Sequence, residues 1–219
     1  MNELDVLIKR ELKILFVSTK QILSYSSFFV LVILLFVFSI GPNLSILSSI
    51  YLPILFMIIL FSLILTSENF VYDDYKNGCL KELQFLGFSS DQIFIAKSLS
   101  MFSSIIFSNF FLIPLTSLLF GINLTSTINI FLIFLLSSPT LVLLSLLSAL
   151  FSLQIKRNKF IQFIIVMPFF IPIIIFATST NINNNHLNDM NFLILFGFFL
   201  ITLPISIIIG KLLIKETNY

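Results

Sequence analysis

Apolar residues along this chain gather into six long runs, at residues 26–40, 46–66, 98–120, 128–153, 161–178 and 192–210, with polar and charged residues clustered between them. An α-helix rises about 1.5 Å per residue, so about 20 apolar residues cross the hydrocarbon core of a bilayer. Each run therefore predicts a membrane-spanning helix. The first is short and is expected to begin nearer Ile22, with residues 24–27 at the interface. Its basic flank invites comparison with a signal peptide. Charge persists through Lys20, however, and no small-x-small cleavage pattern follows, so a retained anchor is expected. Three links between runs are brief, at residues 41–45, 121–127 and the Asn-rich 181–188, and leave no room for a sizeable domain on that side.

The remaining segments are patterned differently. Residues 1–22 predict an interfacial helix, with Leu4, Leu7, Ile8, Leu12 and Leu15 on one face and Lys9, Arg10, Lys13 and Lys20 on the other. Glu11 projects near the middle of the apolar face, where a carboxylate is disfavoured unless paired. It either reaches water or pairs locally, or it contacts the loop after the second span. That loop, residues 67–97, holds five of the ten acidic residues: Glu68, Asp73, Asp74, Glu82 and Asp91. Asn77-Gly78 signals a turn, residues 79–86 read as a two-turn helix ended by Gly87, and Ser89 with Gln92 fits a capping box that starts the next helix. Two turns of helix do not hold together alone in water, so this piece is expected to pack on the bundle or on a partner. An ordinary solvated loop is the alternative.

Charge then fixes an orientation. All twelve Lys and Arg fall on one side of the six-span topology: Lys9, Arg10, Lys13 and Lys20 ahead of the first span, Lys76, Lys81 and Lys97 after the second, Lys156, Arg157 and Lys159 after the fourth, and Lys211 and Lys215 at the end. Cationic loops stay cytoplasmic, so both termini are expected there. Hydrophobic residues make up 58% and charged residues 10% of the chain, with a mean hydropathy of +1.11, outside the range of a soluble domain. The fold class expected is all-α integral membrane, one transmembrane domain over residues 1–219. A net charge of +2 gives no case for nucleic acid as a partner. The single cysteine, Cys79, has no intrachain partner and reads as a free cytoplasmic thiol.

No Asp, Glu, Lys, Arg or His lies inside the six apolar runs, which argues against a proton relay, an ion-coupled pump or an intramembrane enzyme. Gly210-Lys211 lacks the glycines and the Ser/Thr of a phosphate-cradling loop, so any ATP must be hydrolysed by a partner. Ser100, Ser104 and Ser108 in the third run, and Ser138, Ser145, Ser148 and Ser152 in the fourth, fall at helical spacing and suggest packing seams that also hydrogen-bond between helices, with composition alone as the alternative. Asn109 should face protein. Pro168 and Pro172, about one turn apart, should kink the fifth span.

Taken with Glu68 and Lys97, the stretch Lys76-Asn77-Gly78-Cys79-Leu80-Lys81-Glu82-Leu83 resembles the coupling-helix loop after the second span of type-2 ABC exporter membrane subunits. Further stretches narrow the resemblance to the CcmB family: Phe38-Ser39-Ile40-Gly41-Pro42, Tyr72-Asp73-Asp74, Ser138-Pro139-Thr140-Leu141 and Phe176-Ala177-Thr178. Cys79 stands where Ser or Thr is more usual in that family, and Gly87-Phe88 where proline is commoner.

The resemblance covers essentially the whole chain. It implies a non-catalytic permease subunit in haem trafficking for cytochrome c maturation, paired as a homodimer with a CcmA-like ATPase. That ATPase would dock at Asp73, Asp74, Gly78, Leu80, Glu82 and Leu83. The neighbours implied are CcmC-like and CcmD-like subunits and a CcmE-like haem chaperone, with haem as cargo, ATP on the ATPase and no cofactor or metal resident in this chain. Both direct haem passage and release of the haem-loaded chaperone fit the residues. A non-transporting scaffold, or an exporter subunit for another substrate, shares every feature except the family-specific stretches. The membrane implied is the bacterial inner membrane, with the mitochondrial inner membrane as the alternative. The chain has no Trp, and its one histidine, His186, four residues before Met190, is a candidate for a transient haem contact or simply a solvated loop residue.

Overall fold

The computed structural model describes residues 3–17, 20–155, 159–179 and 189–216. They form eight helices: α1 (Glu3–Val17), α2 (Lys20–Ile40), α3 (Leu44–Lys76), α4 (Cys79–Phe85), α5 (Ser90–Leu119), α6 (Leu124–Gln154), α7 (Lys159–Thr178) and α8 (Asp189–Glu216). Five are long and apolar enough to cross a membrane, namely α2, α3, α5, α6 and α8, and α7 adds a shorter apolar stretch at Gln162–Thr178. The all-α membrane class follows directly from the six apolar runs. Helices are the expected outcome because a bilayer offers no water to satisfy backbone N–H and C=O groups.

The central helix is α6, which packs against α3, α5, α7 and α8. Its small residues explain the closeness. Ser137, Ser138, Thr140, Ser145, Ser148, Ala149 and Ser152 are all buried among Leu141, Leu146 and Leu150. The seam serines differ from expectation in one respect. Ser100, Ser104, Ser108, Ser138, Ser145 and Ser148 donate to carbonyls three or four residues back in their own helices, so they serve as small surfaces rather than as interhelical hydrogen bonds. A hydroxyl's own helix offers an acceptor within reach, although the buried Ser152 hydroxyl, in the same seam, has no hydrogen-bond partner among the described residues.

Interhelical polar contacts come instead from larger side chains. Asn109 of α5 is fully buried and donates to the Tyr25 hydroxyl of α2 at 2.6 Å and to the Ile105 carbonyl at 3.0 Å. The Tyr51 hydroxyl of α3 bonds Thr116 of α5 at 2.8 Å, with the Tyr51 ring 4.9 Å from that of Phe120. Gln162 of α7 donates to Ser67 and to the Ile64 carbonyl of α3, at 3.0 and 3.1 Å. The described span of α7 runs through Pro168 and Pro172 as one helix.

Candidate functional site

Turn chemistry builds the corner between α3 and α5. Gly78 takes a left-handed conformation with φ 73°, which lets the chain reverse after Lys76 and launch α4. At the far end Gly87, φ 94°, closes the helix. Its N–H donates to the Gln84 carbonyl and the Phe88 N–H to the Leu83 carbonyl, the paired bonds of a Schellman motif. Ser89 and Gln92 then form the reciprocal capping box that opens α5.

Three contacts seat α4. Leu80 and Leu83 are buried in the core, each burial favouring the seat by about 1.5 to 3 kcal/mol. Gln84 donates to the Ile214 carbonyl near the end of α8, at 3.2 Å. Cys79 accepts from the Arg10 guanidinium of α1, with N···S 2.9 Å. A seven-residue helix is thus held from both sides by segments distant in sequence.

Beneath it lies a charge cluster in which Glu11 and Lys97 are buried while Arg10 and Asp74 remain partly exposed. Glu11, 2% exposed, sits 2.7 Å from the Arg10 guanidinium and 3.4 Å from the Lys97 ammonium, itself 3% exposed. Lys97 also pairs closely with Asp74 and lies 4.8 Å from the centroid of the Phe70 ring. Two cations and two anions balance. Charges removed from water are tolerated only in such mutual pairing. Partial burial works against the Arg10 charge, but the Cys79 contact and the carboxylates of Glu11 and Asp74 outweigh it and hold the guanidinium above its usual range. Glu11 is therefore paired both locally and with the last residue of the 67–97 segment, which ties α1 to α3, α4 and α5.

Several residues expected at a docking surface are placed otherwise. Leu80 and Leu83 point into the core, because helical period sets positions 80 and 83 on one face of α4 and the bundle covers that face. Asp74 is committed to Lys97. Asp73 and Glu82 are exposed, and Gly78 is open to one side, with nothing within 4 Å of an added Cβ. The outward face of α4 carries residues that sequence reasoning passed over, Phe85 at 89% and Leu86 at 74% exposure, beside Lys81 and Glu82. The signal was present in the period for Phe85, since a helix that buries 80 and 83 must turn 85 outward; Leu86 is exposed at the C-cap, where the helix ends. His186 lies outside the described residues, and Met190 is exposed at the start of α8.

Contacts at this corner draw one end of the bundle together. Lys211 of α8 pairs with Asp91 of α5 at 3.6 Å, and Gln154 at the end of α6 donates to Glu216 at 2.8 Å. The described basic residues of α1, α3, α4, α5 and α8 share that end, with the turns at Gly41 and Gly121 at the other. Among the described residues no group of three or more His, Cys, Asp or Glu gathers as metal ligands would.

Comparison with known proteins places this arrangement. The sequence matches the family described as CcmB protein over residues 2–210. It is 30% identical over 173 residues to Heme exporter protein B of Haemophilus influenzae, covering 79% of this chain and 78% of that protein. It is 24% identical over 181 residues to proteins of the same name from Pseudomonas aeruginosa and Bradyrhizobium diazoefficiens, covering 81% and 83% of this chain and 80% and 82% of theirs.

Proposed function

This chain belongs to the CcmB protein family, and on that premise we propose that it is the membrane subunit of a haem exporter complex serving cytochrome c maturation. It is a transporter component and not itself catalytic. A CcmA-like ATPase hydrolyses the ATP and docks on α4, and its movement is carried into the bundle to drive haem delivery or release of the haem-loaded chaperone. CcmC-like and CcmD-like subunits and a CcmE-like chaperone complete the complex, in which this chain acts as a homodimer.

The orientation belongs to the same reading. One transmembrane domain of six spans sits in a bacterial inner membrane with both termini cytoplasmic, an arrangement supported by the gathering of basic residues at the α4 end. Haem is cargo here.

The observation that carries the proposal is the outward face of α4. Phe85 is almost wholly exposed and Leu86 largely so at the charged end of the bundle, flanked by Lys81 and Glu82 rather than by the apolar spans. An exposed apolar pair ringed by charge is the anatomy of a protein contact. The buried side of α4 is pinned to α1 and α8, so a push on Phe85 is transmitted rather than absorbed.

Co-purification tests this. Tagged protein is expected to retain an ATPase subunit, and Phe85→Asp is expected to lose it and to abolish holo-cytochrome c formation while the protein still accumulates in the membrane. An ATPase that stays bound to the Phe85→Asp variant, or normal holo-cytochrome c in cells lacking this chain, overturns the reading.

A further inference from the structure

Helix α8 is gripped at one end and held lightly along the rest. Among its described residues the buried positions are Leu195, Ser206, Gly210, Leu213 and Ile214, so all but one lie in the part nearest α4. At Gly210 the helix comes close to α5, where the ring of Phe94 takes the place of a side chain. Past that point its carbonyls need donors from outside, because the last four of a helix have none within it. Side-chain amides supply them. Gln84 of α4 donates to the Ile214 carbonyl at 3.2 Å, and Gln154 of α6 to the Leu213 carbonyl at 3.4 Å. The docking helix therefore holds the end of α8 directly.

The other arm has room on both flanks. A cavity of about 350 Å³ lies between α8 and α5, lined by Ser98 and Phe102 on one side and Phe199, Leu203 and Ile207 on the other. A second, of about 360 Å³, lies between α8 and α7, lined by Val166 and Phe169 facing Phe198, Ile201 and Ile205. Close-packed helices resist displacement because every moved side chain needs free volume. Here that volume stands on either side of one span. Helix α8 also runs through Pro204 without a break. At a rise of about 1.5 Å per residue, Ile214 stands about 6 Å past Gly210 and Phe192 about 27 Å before it. A displacement of Ile214 about Gly210 is thus magnified roughly fourfold at Phe192.

We propose that α8 is the lever of this subunit. Movement of α4 under its ATPase passes through Gln84 to the Ile214 carbonyl and swings the far arm of α8 about Gly210, between the two cavities. Gln84 is a positioning residue, acting through α8 and not on cargo. The inference rests on docking of the ATPase at α4, and its test separates the two.

The test uses the complex with its co-purified ATPase, in a Cys79→Ser background. Spin labels go on Leu193→Cys of α8 and Ile128→Cys of α6, both exposed and both at the end of the bundle away from α4. Unlabelled chain is added in excess so that each complex carries one labelled copy. Helix shifts at an interface are about 1 to 2 Å, so trapping with ATP and vanadate is expected to change the 128–193 distance by about 5 Å. The distance from Ile128→Cys to Ile46→Cys at the same end of α3 is expected to stay constant. Gln84→Leu is expected to retain the ATPase, since Leu80, Leu83 and Phe85 remain, and to remove at least half of the change.

An unchanged 128–193 distance in the trapped complex overturns the proposal, as does an equal change at position 46 or a full change in the Gln84→Leu variant. Loss of the ATPase from that variant would assign Gln84 to docking alone and overturns it as well. Each of these outcomes leaves the docking reading standing. Absence of an ATPase from the native chain overturns both together.

Discussion

Gly210 lies against the ring of Phe94. A Cβ at position 210 would fall 2.4 Å from Phe94 Cδ2 and 2.7 Å from both Cγ and Cε2. The glycine allows α8 to approach α5 just where Lys211 pairs with Asp91 and, one turn on, the Ile214 carbonyl receives Gln84 of α4. The seat of the proposed docking helix thus depends on a missing side chain in the last span.

Gly210→Ala is expected to destabilise the protein by about 1 to 3 kcal/mol, the usual cost of overpacking a close contact. Phe94→Leu in the same chain should recover part of the loss, because the clash is with the ring. Thermal unfolding in detergent, run as a double-mutant cycle, reads both effects. Additive losses would place the cost elsewhere.

Lys97→Met leaves Glu11 buried, and Asp74 half-buried, with only the Arg10 guanidinium near Glu11, and should cost about 3 kcal/mol. Glu11→Gln should cost less, since Lys97 keeps Asp74. The double variant Glu11→Gln, Lys97→Met should lose less than the sum of the two. Unfolding midpoints of the three variants check the coupling.

Leu83→Asp and Phe85→Asp should behave oppositely at Cys79. A carboxylate at the buried position 83 unseats α4 and exposes the thiol, while one at position 85 stays in water. Alkylation of Cys79 by N-ethylmaleimide in solubilised protein should accelerate by at least about tenfold in the first. That factor corresponds to roughly 1.4 kcal/mol, less than an unpaired buried charge costs. In the second variant the rate should stay that of the native protein.

Sidedness can be read with a Cys79→Ser background carrying either Lys215→Cys at the basic end or Asn123→Cys at the opposite turn, both exposed positions. A membrane-impermeant maleimide added outside intact cells should label position 123 and not position 215. Inside-out vesicles should reverse the pattern. Labelling of position 215 from outside would refute the cytoplasmic assignment of the basic end.

Much of the corner was legible one residue at a time. Asn77-Gly78 gave the turn, Gly87 the helix stop and Ser89 with Gln92 the cap, because each acts on backbone groups within six residues of itself. Glu11 announced that it needed a partner by standing on an apolar face. Its pairing with Lys97, 86 positions away, leaves no periodic trace, and neither does the Arg10 contact to Cys79. Leu80 and Leu83 illustrate the opposite error. Their pattern marks a face to be covered, but hydrophobic period alone does not say whether the cover is the bundle or another protein.

Local rules acting along the chain determined the helices, the turns, the separation of charge from the apolar spans, and the family. Hydrogen bonding in a medium without water leaves few alternatives to a helix, and glycine is what a left-handed backbone position selects. Only the tertiary structure decided which side of α4 remains open, which charges neutralise one another, and that the ring of Phe94 fills the space Gly210 vacates. Those outcomes depend on distances between segments far apart in sequence, which are fixed by how all the helices pack at once.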